Sequence, residues 1–339
     1  DLERSPEQEA LAATLQRFLA DRAPIRPYVR EMAEDALGTT PEVWKGLADL
    51  GLTGMLVPES HGGAGMGMVD MGVALEEMGK LVHPGPFISS AVGAVSMLNA
   101  VGSPGETEEM SSRLAEGSMI ATVAIFEPGS RARWKSPGTR ASLDPKEWRL
   151  TGSKAFVPDG AMAEMILVTA ATGDGLGLFA VESGSEGLEV APVAVVDGTR
   201  KQAHLTLDGV RSRRIGSGDA TGALGPAIDR LLAALVADGL GAAERTLEMA
   251  VDYAKERVQF DRVIGSFQAV QHMCADMLQA VELSRAATTY ALWCCDAAEP
   301  AESHRAATMA KAYAGDALAK VGASAIQVLG GIGFTWEHD

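Results

Sequence analysis

The sequence RVQFDRVIGSFQAVQHMCAD, residues 257–276, decides the architecture of this chain. It leaves one amphipathic helical pattern, crosses a short polar turn containing Gly265, and enters a second helical pattern near Gln268. The turn gathers the Arg257 guanidinium, two carboxamides and the Phe260 ring at one helix–helix corner. An arginine can bind a diphosphate bidentately and an aromatic ring offers a flat apolar face, so the corner suits a large planar ligand carrying phosphates. A helical hairpin with a polar corner is the other interpretation, and this stretch alone does not decide between them.

A second informative stretch is IQVLGGIGF, residues 326–334, a helical pattern that ends in paired glycines. Gly330, Gly331 and Gly333 permit positive φ and carry no side chain. We therefore expect another group to approach this backbone closely.

Together the two stretches resemble the acyl-CoA dehydrogenase family, flavoproteins that introduce a double bond between Cα and Cβ of acyl-CoA thioesters. The family shows Arg-x-x-Phe-Gly, then a Phe/His-Gln pair, then Gln-x-x-Gly-Gly-x-Gly. The matching residues are Arg257, Phe260, Phe267, Gln268, Gln327, Gly330, Gly331 and Gly333. The sequence VPESHGGAG, residues 57–65, is similar to the family's Pro-Glu-x-x-Gly-Gly-x-Gly, so the resemblance covers essentially the whole chain.

Composition limits the class of protein. A length of 339 residues with 47% hydrophobic content predicts a soluble globular protein of two or three domains. The formal charge of −16 argues against nucleic acid as a partner, because no basic stripe is present to neutralise phosphates. The apolar runs are only strand-length, so we expect no membrane span. The three cysteines show no metal-ligand spacing and predict no metal site and a reduced, cytoplasmic protein.

Hydrophobic periodicity predicts helices, then strands, then helices. Ser5-Pro6 and Thr40-Pro41 begin helices, and a third covers about residues 69–79. From Gly225 onward a broad apolar stripe predicts a helical bundle that also meets another subunit. Between them, segments rich in β-branched residues predict strands. They are Ile120–Phe126, Glu147–Leu150, Lys154–Val157, Met165–Ala170, Leu176–Glu182, Leu188–Val196 and Ala203–Leu207.

The predicted fold class is α+β multidomain. An N-terminal helical domain covers residues 1–118, a middle β-barrel or β-sandwich domain residues 119–216, and a C-terminal four-helix bundle residues 217–339. The same order is the architecture that the resemblance implies, with the bundle forming a tetramer.

The resemblance also implies the chemistry. FAD would be the cofactor, an acyl-CoA the substrate and an electron-transfer flavoprotein the acceptor. In the family a carboxylate removes the α-proton while a hydride passes from Cβ to the flavin, and hydrogen bonds to the thioester carbonyl acidify Cα. The motif residues reach the FAD of a neighbouring subunit in a homotetramer or heterotetramer. The cofactor-binding residues implied here are Arg257, Phe260, Gln268, Gln327, Gly330 and Gly331.

Two further flavin-contacting motifs of the family are altered. Thr-Glu-Pro-x-x-Gly-Ser-Asp stands here as Phe126-Glu127-Pro128-Gly129-Ser130-Arg131, and Trp-Ile-Thr stands as Phe156-Val157-Pro158. We expect Phe126 and Phe156 still to meet the ring. Pro158 offers neither the hydroxyl nor the backbone N–H of the family threonine.

The sequence predicts no catalytic base. The family's usual glutamate lies in Tyr-Glu-Gly-Thr beyond the glycine motif, and no such sequence occurs in residues 334–339. The alternative position, on the helix before Arg257, is Leu231, which cannot abstract a proton. Asp229, Asp238 and Glu244 on that helix are interpreted as solvated or capping carboxylates.

Two functional hypotheses follow. The leading one is an FAD-dependent acyl-CoA dehydrogenase. The alternative is a non-catalytic or weakly FAD-binding subunit that donates residues to a partner's FAD site, and the missing base, Phe126 and Pro158 favour it. Asp261, where the family has glycine, adds a negative charge near the diphosphate and points the same way. The ending Trp336–Asp339 is similar to a bacterial subset with unlike paired subunits and bulky substrates such as steroid side chains, but the sequence does not identify the acyl group.

Overall fold

The computed structural model describes residues 4–130 and 133–339 and has the predicted order of helices, strands and helices. The helices are α1 (Pro6–Arg22), α2 (Arg30–Glu34), α3 (Pro41–Asp49), α4 (Met68–Lys80), α5 (Val95–Val101), α6 (Pro104–Ala115), α7 (Thr221–Glu256), α8 (Gln268–Ala297) and α9 (Pro300–Leu329). The strands are β1 (Ala121–Ala124), β2 (Arg140–Asp144), β3 (Glu147–Pro158), β4 (Met165–Thr172), β5 (Gly175–Glu182), β6 (Leu188–Val193), β7 (Gln202–Ile215), β8 (Val258–Gln259) and β9 (Arg262–Val263).

Local capping residues set the helix starts. At α1 the Ser5 N–H donates to Gln8 Oε1 (3.1 Å), and the Gln8 N–H donates to the Ser5 hydroxyl (3.3 Å). At α3 the Thr40 hydroxyl accepts the Val43 N–H at 3.4 Å. These side chains satisfy N–H groups that have no partner inside the helix, which is why the Ser-Pro and Thr-Pro signals located both starts.

Strands β1–β7 form a closed barrel rather than a sandwich. Neighbour pairing runs β4–β2–β3–β7–β5 and returns from β5 to β4, while β1 pairs with β4 and β6 with β7. Val168, Phe179 and Leu205 fill the interior and are at most 1% exposed. Closure pairs the strands of the ring on both sides, so the middle β region is a small filled barrel.

Two strand predictions change in the structure. The predicted runs at residues 147–150 and 154–157 are one strand, β3, with a register shift against β7 at Gly152. Gly152 has φ +150°, and a Cβ there would lie 2.6 Å from Thr139 Cα, so the glycine bends the strand without ending it. Strand β2 lies outside the predicted segments, because its residues are mostly exposed and form no apolar run.

The chain divides into two compact units. The helical unit contains residues 4–26, 68–83 and 232–339, and the barrel unit contains residues 27–67 and 84–231. In the helical unit, α7, α8 and α9 share one apolar core that includes Leu247, Met277 and Val321. Helix α4 joins them, giving a four-helix arrangement of α4, α7, α8 and α9.

The approach of α4 to α7 depends on glycine. A Cβ at Gly79 would lie 1.9 Å from the Asp238 carbonyl oxygen, and a Cβ at Gly241 would lie 1.9 Å from the Glu76 carbonyl oxygen. The two helices therefore meet backbone to backbone at a point where no side chain fits.

One helical stretch of the described chain, Pro300–Phe334, is long and apolar enough to cross a membrane when judged by length and composition alone. This is weak grounds for a span, because the core helices of water-soluble proteins pass the same test. The α9 part of this stretch packs on α8 through the shared core. The absence of a span stays a prediction.

Candidate functional site

Six predicted residues lie at one end of the bundle in the helical unit. Helices α8 and α9 are separated by two residues and run antiparallel, so the first residue of α8 and the last turn of α9 meet at the same end. Met273 and Val328, near those two ends, belong to one apolar cluster. The β8–β9 hairpin precedes α8 by the four residues 264–267 and brings its own residues to that end. The six residues are Arg257, Phe260, Gln268, Gln327, Gly330 and Gly331.

The connection between α7 and α8 contains a β-hairpin and then a short 3₁₀ turn, Ile264–Ser266, which includes Gly265. Residues 258–259 pair with residues 262–263, which leaves Phe260 and Asp261 as a two-residue loop. Both loop residues are left-handed, with φ of +55° and +61°, as a type I′ turn requires. Aspartate tolerates this conformation better than most residues, which explains how Asp261 stands where the family has glycine. The loop leaves Phe260 86% exposed.

The hairpin corner offers positive charge. Within the described chain the Arg257 guanidinium is exposed and has no ion-pair or hydrogen-bond partner. Its neighbour Arg262 lies instead over the Phe267 ring, 4.0 Å from the centroid. Gln268 is the first residue of the 30-residue helix α8, whose first N–H groups carry partial positive charge. A free guanidinium beside a helix N-terminus suits an anionic ligand.

Only one of the three tail glycines takes positive φ. Gly330 has φ +64°, whereas Gly331 and Gly333 do not use the positive φ that glycine permits. A Cβ on Gly330 or Gly331 would meet nothing within 4 Å, so both leave open space beside the backbone. A Cβ on Gly333 would lie 2.8 Å from Leu329 Cβ, so this glycine is needed for the chain's own turn.

Three of the predicted cofactor-binding residues belong to the barrel unit and lie on adjacent segments: Phe126, Phe156 and Pro158. The Ala155 N–H donates to the Phe126 carbonyl at 2.9 Å, which places the end of β1 beside β3. Phe126 and Phe156 are 40% and 60% exposed as whole residues. Phe156 has φ +52°, a conformation that costs about 1–2 kcal/mol for a residue with a Cβ. Pro158 has no N–H, and its carbonyl accepts the Thr122 hydroxyl.

A buried ion pair connects the two altered motifs. Lys154 Nζ lies 3.0 Å from Glu127 Oε1, and the lysine side chain has no exposed surface. Burial lowers the pKa of Lys154 to about 8, against the attraction of Glu127. Burial also acts to raise the pKa of Glu127, but hydrogen bonds from Thr139 and Gly138 and the charge of Lys154 bring it down to about 2. Both groups are therefore charged at neutral pH and hold the two motif segments together.

Directly after Pro158, Asp159 is buried and joined to Ser89. The Ser89 hydroxyl lies 2.6 Å from Asp159 Oδ2 and 3.0 Å from the Pro86 carbonyl oxygen. The Ser89 hydroxyl donates to the ionised Asp159 carboxylate; when that carboxyl is protonated, it can donate to Ser89 instead and leave the Ser89 hydrogen for Pro86. Burial raises the pKa of Asp159 to about 6, although Ser89 and Arg200 act to lower it.

His204 on β7 lies beside Phe156. It is absent from the residues predicted from the sequence. Its Nδ1 accepts the Phe156 N–H at 3.3 Å, and the two rings meet edge to face with centroids 5.1 Å apart. The two residues are 48 positions apart and meet only through strand pairing, so no motif marks His204. The one sequence signal is alternation along β7, where Ala203 and Leu205 are buried and His204 is exposed. Arg131, which ends the first altered motif, lies outside the described residues.

Two of the carboxylates on α7 are not simply solvated. Asp229 is buried, with 3% exposure. Glu244 forms ion pairs with Arg285 at 3.0 Å and Lys80 at 3.1 Å. Burial acts to raise the pKa of Glu244, but these two cations hold it below its usual value, so Glu244 is a poor proton acceptor. Leu231 lies on the same helix, and no described residue is assigned as the catalytic base.

Each unit, taken by itself, offers groups that suit part of a flavin nucleotide. Phe126 and Phe156 present exposed apolar rings for a planar group, and Arg257 presents an unpaired cation for a diphosphate. Gly330 leaves room for a close approach to the backbone. At its own position Pro158 offers no donor to the polar edge of the ring, because it has neither a hydroxyl nor an N–H. Across residues 4–130 and 133–339 no cluster of three or more histidine, cysteine, aspartate or glutamate residues is suited to a metal ion.

Family profiles match the chain in three consecutive parts. The profiles "Acyl-CoA dehydrogenase, N-terminal domain", "middle domain" and "C-terminal domain" match residues 5–118, 122–210 and 228–339. The acyl-CoA dehydrogenase IpdE2 of Mycolicibacterium smegmatis is 31% identical over 99% of this chain and 89% of its own length.

Two solved structures are similar over nearly the whole chain. One is the ChsE4-ChsE5 complex from Mycobacterium tuberculosis, with a TM-score of 0.89, 30% identity, and coverage of 100% of this chain and 90% of that chain. The other is the steroid ACAD Tcur3481-Tcur3483, with a TM-score of 0.88, 32% identity, and coverage of 97% of this chain and 88% of that chain.

Proposed function

Because this chain belongs to the acyl-CoA dehydrogenase family of flavin-dependent oxidoreductases acting on CH–CH bonds, we propose that it dehydrogenates an acyl-CoA thioester between Cα and Cβ with FAD as cofactor. One observation carries the proposal. The residues matching the family's three C-terminal motif elements converge on one end of the bundle, where the Arg257 guanidinium has no partner in the described chain.

We assign the bundle residues to the FAD of a neighbouring subunit. Arg257 binds the diphosphate, and Phe260 and Gln268 bind beside it. The backbone at Gly330 and Gly331 admits the nucleotide, because no side chain fills that space. Gln327, one turn earlier on α9, fixes a polar edge of the cofactor.

In the barrel unit, Phe126 and Phe156 orient the flavin ring and exclude water from it. Pro158 closes the same surface without donating a hydrogen bond. When bound, the flavin supplies the acceptor for the hydride that leaves Cβ of the substrate. The α-proton requires a base, and no carboxylate of the described chain fills that role in the proposal.

The proposed assembly is a tetramer of identical or related subunits, reducing an electron-transfer flavoprotein. Large apolar side chains exposed on α8 and α9 support an oligomer, because a single chain leaves them in water. They are Leu278, Leu283, Trp293, Met309 and Ile326, each 47–64% exposed. We further propose the domain division 1–118, 119–216 and 217–339 and a cytoplasmic location, in line with three free cysteines.

The test is the visible absorption spectrum of the purified protein, with flavin quantified per chain and then titrated with a panel of acyl-CoA thioesters. We expect about one FAD per subunit and bleaching of the flavin absorbance by at least one thioester. A flavin-loaded protein that no member of a broad panel reduces would contradict the proposal.

The second candidate function is a non-catalytic or weakly FAD-binding subunit of a heteromeric acyl-CoA dehydrogenase. The donor-poor surface at Pro158 favours it, and the ChsE4-ChsE5 relative is a complex of two differently named chains. Co-expression with the product of a neighbouring related gene is then expected to give a hetero-oligomer with about one flavin per two chains. Thioester oxidation by this chain alone would exclude this candidate.

A further inference from the structure

The conformation of Phe156 has one visible side-chain support. Phe156 lies on β3 at the register shift between Lys154 and Val157, so its N–H is not part of the regular ladder with β7. That N–H donates instead to His204 Nδ1 at 3.3 Å, and the backbone there has φ +52°. A phenylalanine does not adopt a left-handed φ without support from its surroundings.

The hydrogen bond from the Phe156 N–H also defines which ring nitrogen of His204 carries the proton. A ring nitrogen that accepts a hydrogen bond carries no proton, so in the neutral ring the proton is on Nε2. The edge-to-face contact of the two rings, with centroids 5.1 Å apart, fixes the plane of the Phe156 ring as well as its backbone. Phe156 keeps 60% of its surface exposed in this arrangement, available to a flat ligand.

We infer that His204 is a positioning residue for flavin binding: Nδ1 holds the Phe156 backbone in the left-handed conformation that presents its ring to the flavin. The inference rests on the proposed function. Two neighbouring contacts do not hold the Phe156 backbone. Lys154 ties β3 to Glu127, and Thr122 donates to the Pro158 carbonyl. Since Pro158 has no N–H to order the surface or the ligand, the placement of the Phe156 ring matters more for flavin binding.

The experiment uses three substitutions that separate the two ring nitrogens. His204→Asn places a carboxamide oxygen near the position of Nδ1 and keeps the acceptor for Phe156. His204→Gln places its polar group near the position of Nε2, and His204→Leu removes both. Thr206→Leu, at the next outward position of β7, is the matched control.

Two readouts are measured on the full chain: the FAD dissociation constant, and hydrogen exchange of the Phe156 amide without flavin. For His204→Leu and His204→Gln we expect ~10-fold weaker FAD binding and ~10-fold faster exchange. The Asn variant and the Thr206 control are expected to stay near wild type in both measurements.

If the Phe156 amide of the His204→Leu variant exchanges its hydrogen at the wild-type rate, the inference is overturned, because the amide then needs no acceptor at residue 204. The inference is also overturned if His204→Gln binds FAD like wild type and His204→Asn does not. That result would assign the effect on FAD binding to Nε2. If the wild-type chain retains no flavin, the proposed cofactor fails and the flavin-binding part of the inference is overturned with it, while amide exchange still decides whether His204 holds the Phe156 backbone.

Discussion

Lys154 and Glu127 form the ion pair that joins the two altered flavin motifs. Removing one partner of such a pair leaves an uncompensated charge, which is why pairs of this kind tolerate single substitutions poorly. The lysine has three acceptors within 3.3 Å, namely Glu127, the Ile125 carbonyl and the Thr169 hydroxyl. The ammonium is therefore held in place by hydrogen bonds as well as by charge.

For Glu127→Gln we expect a loss of about 2 kcal/mol in the free energy of unfolding at pH 7. The folded chain holds the pKa of Glu127 at about 2, below its ordinary 4.5, so the stability from this carboxylate is present above pH 4.5 and is lost as the pH falls toward 2. Urea unfolding from pH 3 to pH 7 measures this, and the difference from wild type should shrink on acidification. The double variant Glu127→Gln/Lys154→Met should recover part of the loss. A loss that does not depend on pH would contradict the assignment.

The contribution of Asp159 to stability depends on pH in the opposite direction to that of Glu127. Its pKa is raised from 3.8 to about 6, so the folded chain keeps a proton that the unfolded chain releases, and stability falls as the pH rises from about 4 to 6. For Asp159→Asn we expect a gain of about 1–3 kcal/mol at pH 7.5 and little change at pH 4, because the amide can donate to Ser89 without an ionisation cost. Thermal unfolding at the two pH values measures this. Destabilisation at pH 7.5 would show that the ionised carboxylate is needed, for example by Arg200.

At the scale of elements, the bundle depends on the crossing of α4 and α7. Gly79 and Gly241 stand opposite backbone carbonyls of the other helix, and a Cβ at either would lie 1.9 Å from an oxygen. Backbone atoms cannot rotate away as a side chain can, so any added methyl group must separate the helices.

For Gly241→Ala we expect a loss of about 3 kcal/mol or more in stability, although alanine is the better helix former. Gly322→Ala is the matched control, because a Cβ there would meet nothing within 4 Å. In that variant helix propensity acts alone and should stabilise the chain by about 0.5–1 kcal/mol. Chemical unfolding of both variants measures the contrast, and two equal shifts would refute the close crossing.

At the scale of the whole molecule, the proposal that FAD is shared between subunits makes a complementation experiment possible. Arg257→Ala and Phe156→Ala are each expected to bind little flavin alone, because one removes the diphosphate ligand and the other a ring contact. Co-expressed with different affinity tags, they should form mixed oligomers in which some sites receive Arg257 from one chain and Phe156 from the other. Random pairing then restores about a quarter of the wild-type flavin content.

The measurement is flavin per chain after tandem purification on both tags. Mixed oligomers that stay as empty as either parent would mean that each site takes both residues from one chain, and the sharing of FAD between subunits would be wrong. The control is Thr206→Leu co-expressed with Arg257→Ala, which should retain about half of the sites.

Much of the fold could be predicted because its signals are local. Ser5 and Thr40 marked helix starts through bonds to residues three positions on, and runs rich in β-branched residues marked most strands of the barrel. Motif spacing likewise singled out Arg257, Gln268 and Gln327, whose roles in cofactor binding stay predictions. The β8–β9 hairpin and the antiparallel run of α8 and α9 bring them to one end. A sequence carries such information directly, because each interaction spans a few residues or one short connection.

Long-range contacts were decided by the tertiary structure alone. Closure of the barrel through β4 and β5, the glycine crossing of α4 and α7, and the support of Phe156 by His204 join residues that no periodicity relates. The same holds for Glu244, whose role as an ion-pair partner depends on Arg285 and Lys80 from two other helices. The sequence by itself determined the order of elements and the chemistry available at their ends. Which side chains meet, and which ionisable groups keep their protons, depended on burial and pairing that exist only once the chain has folded.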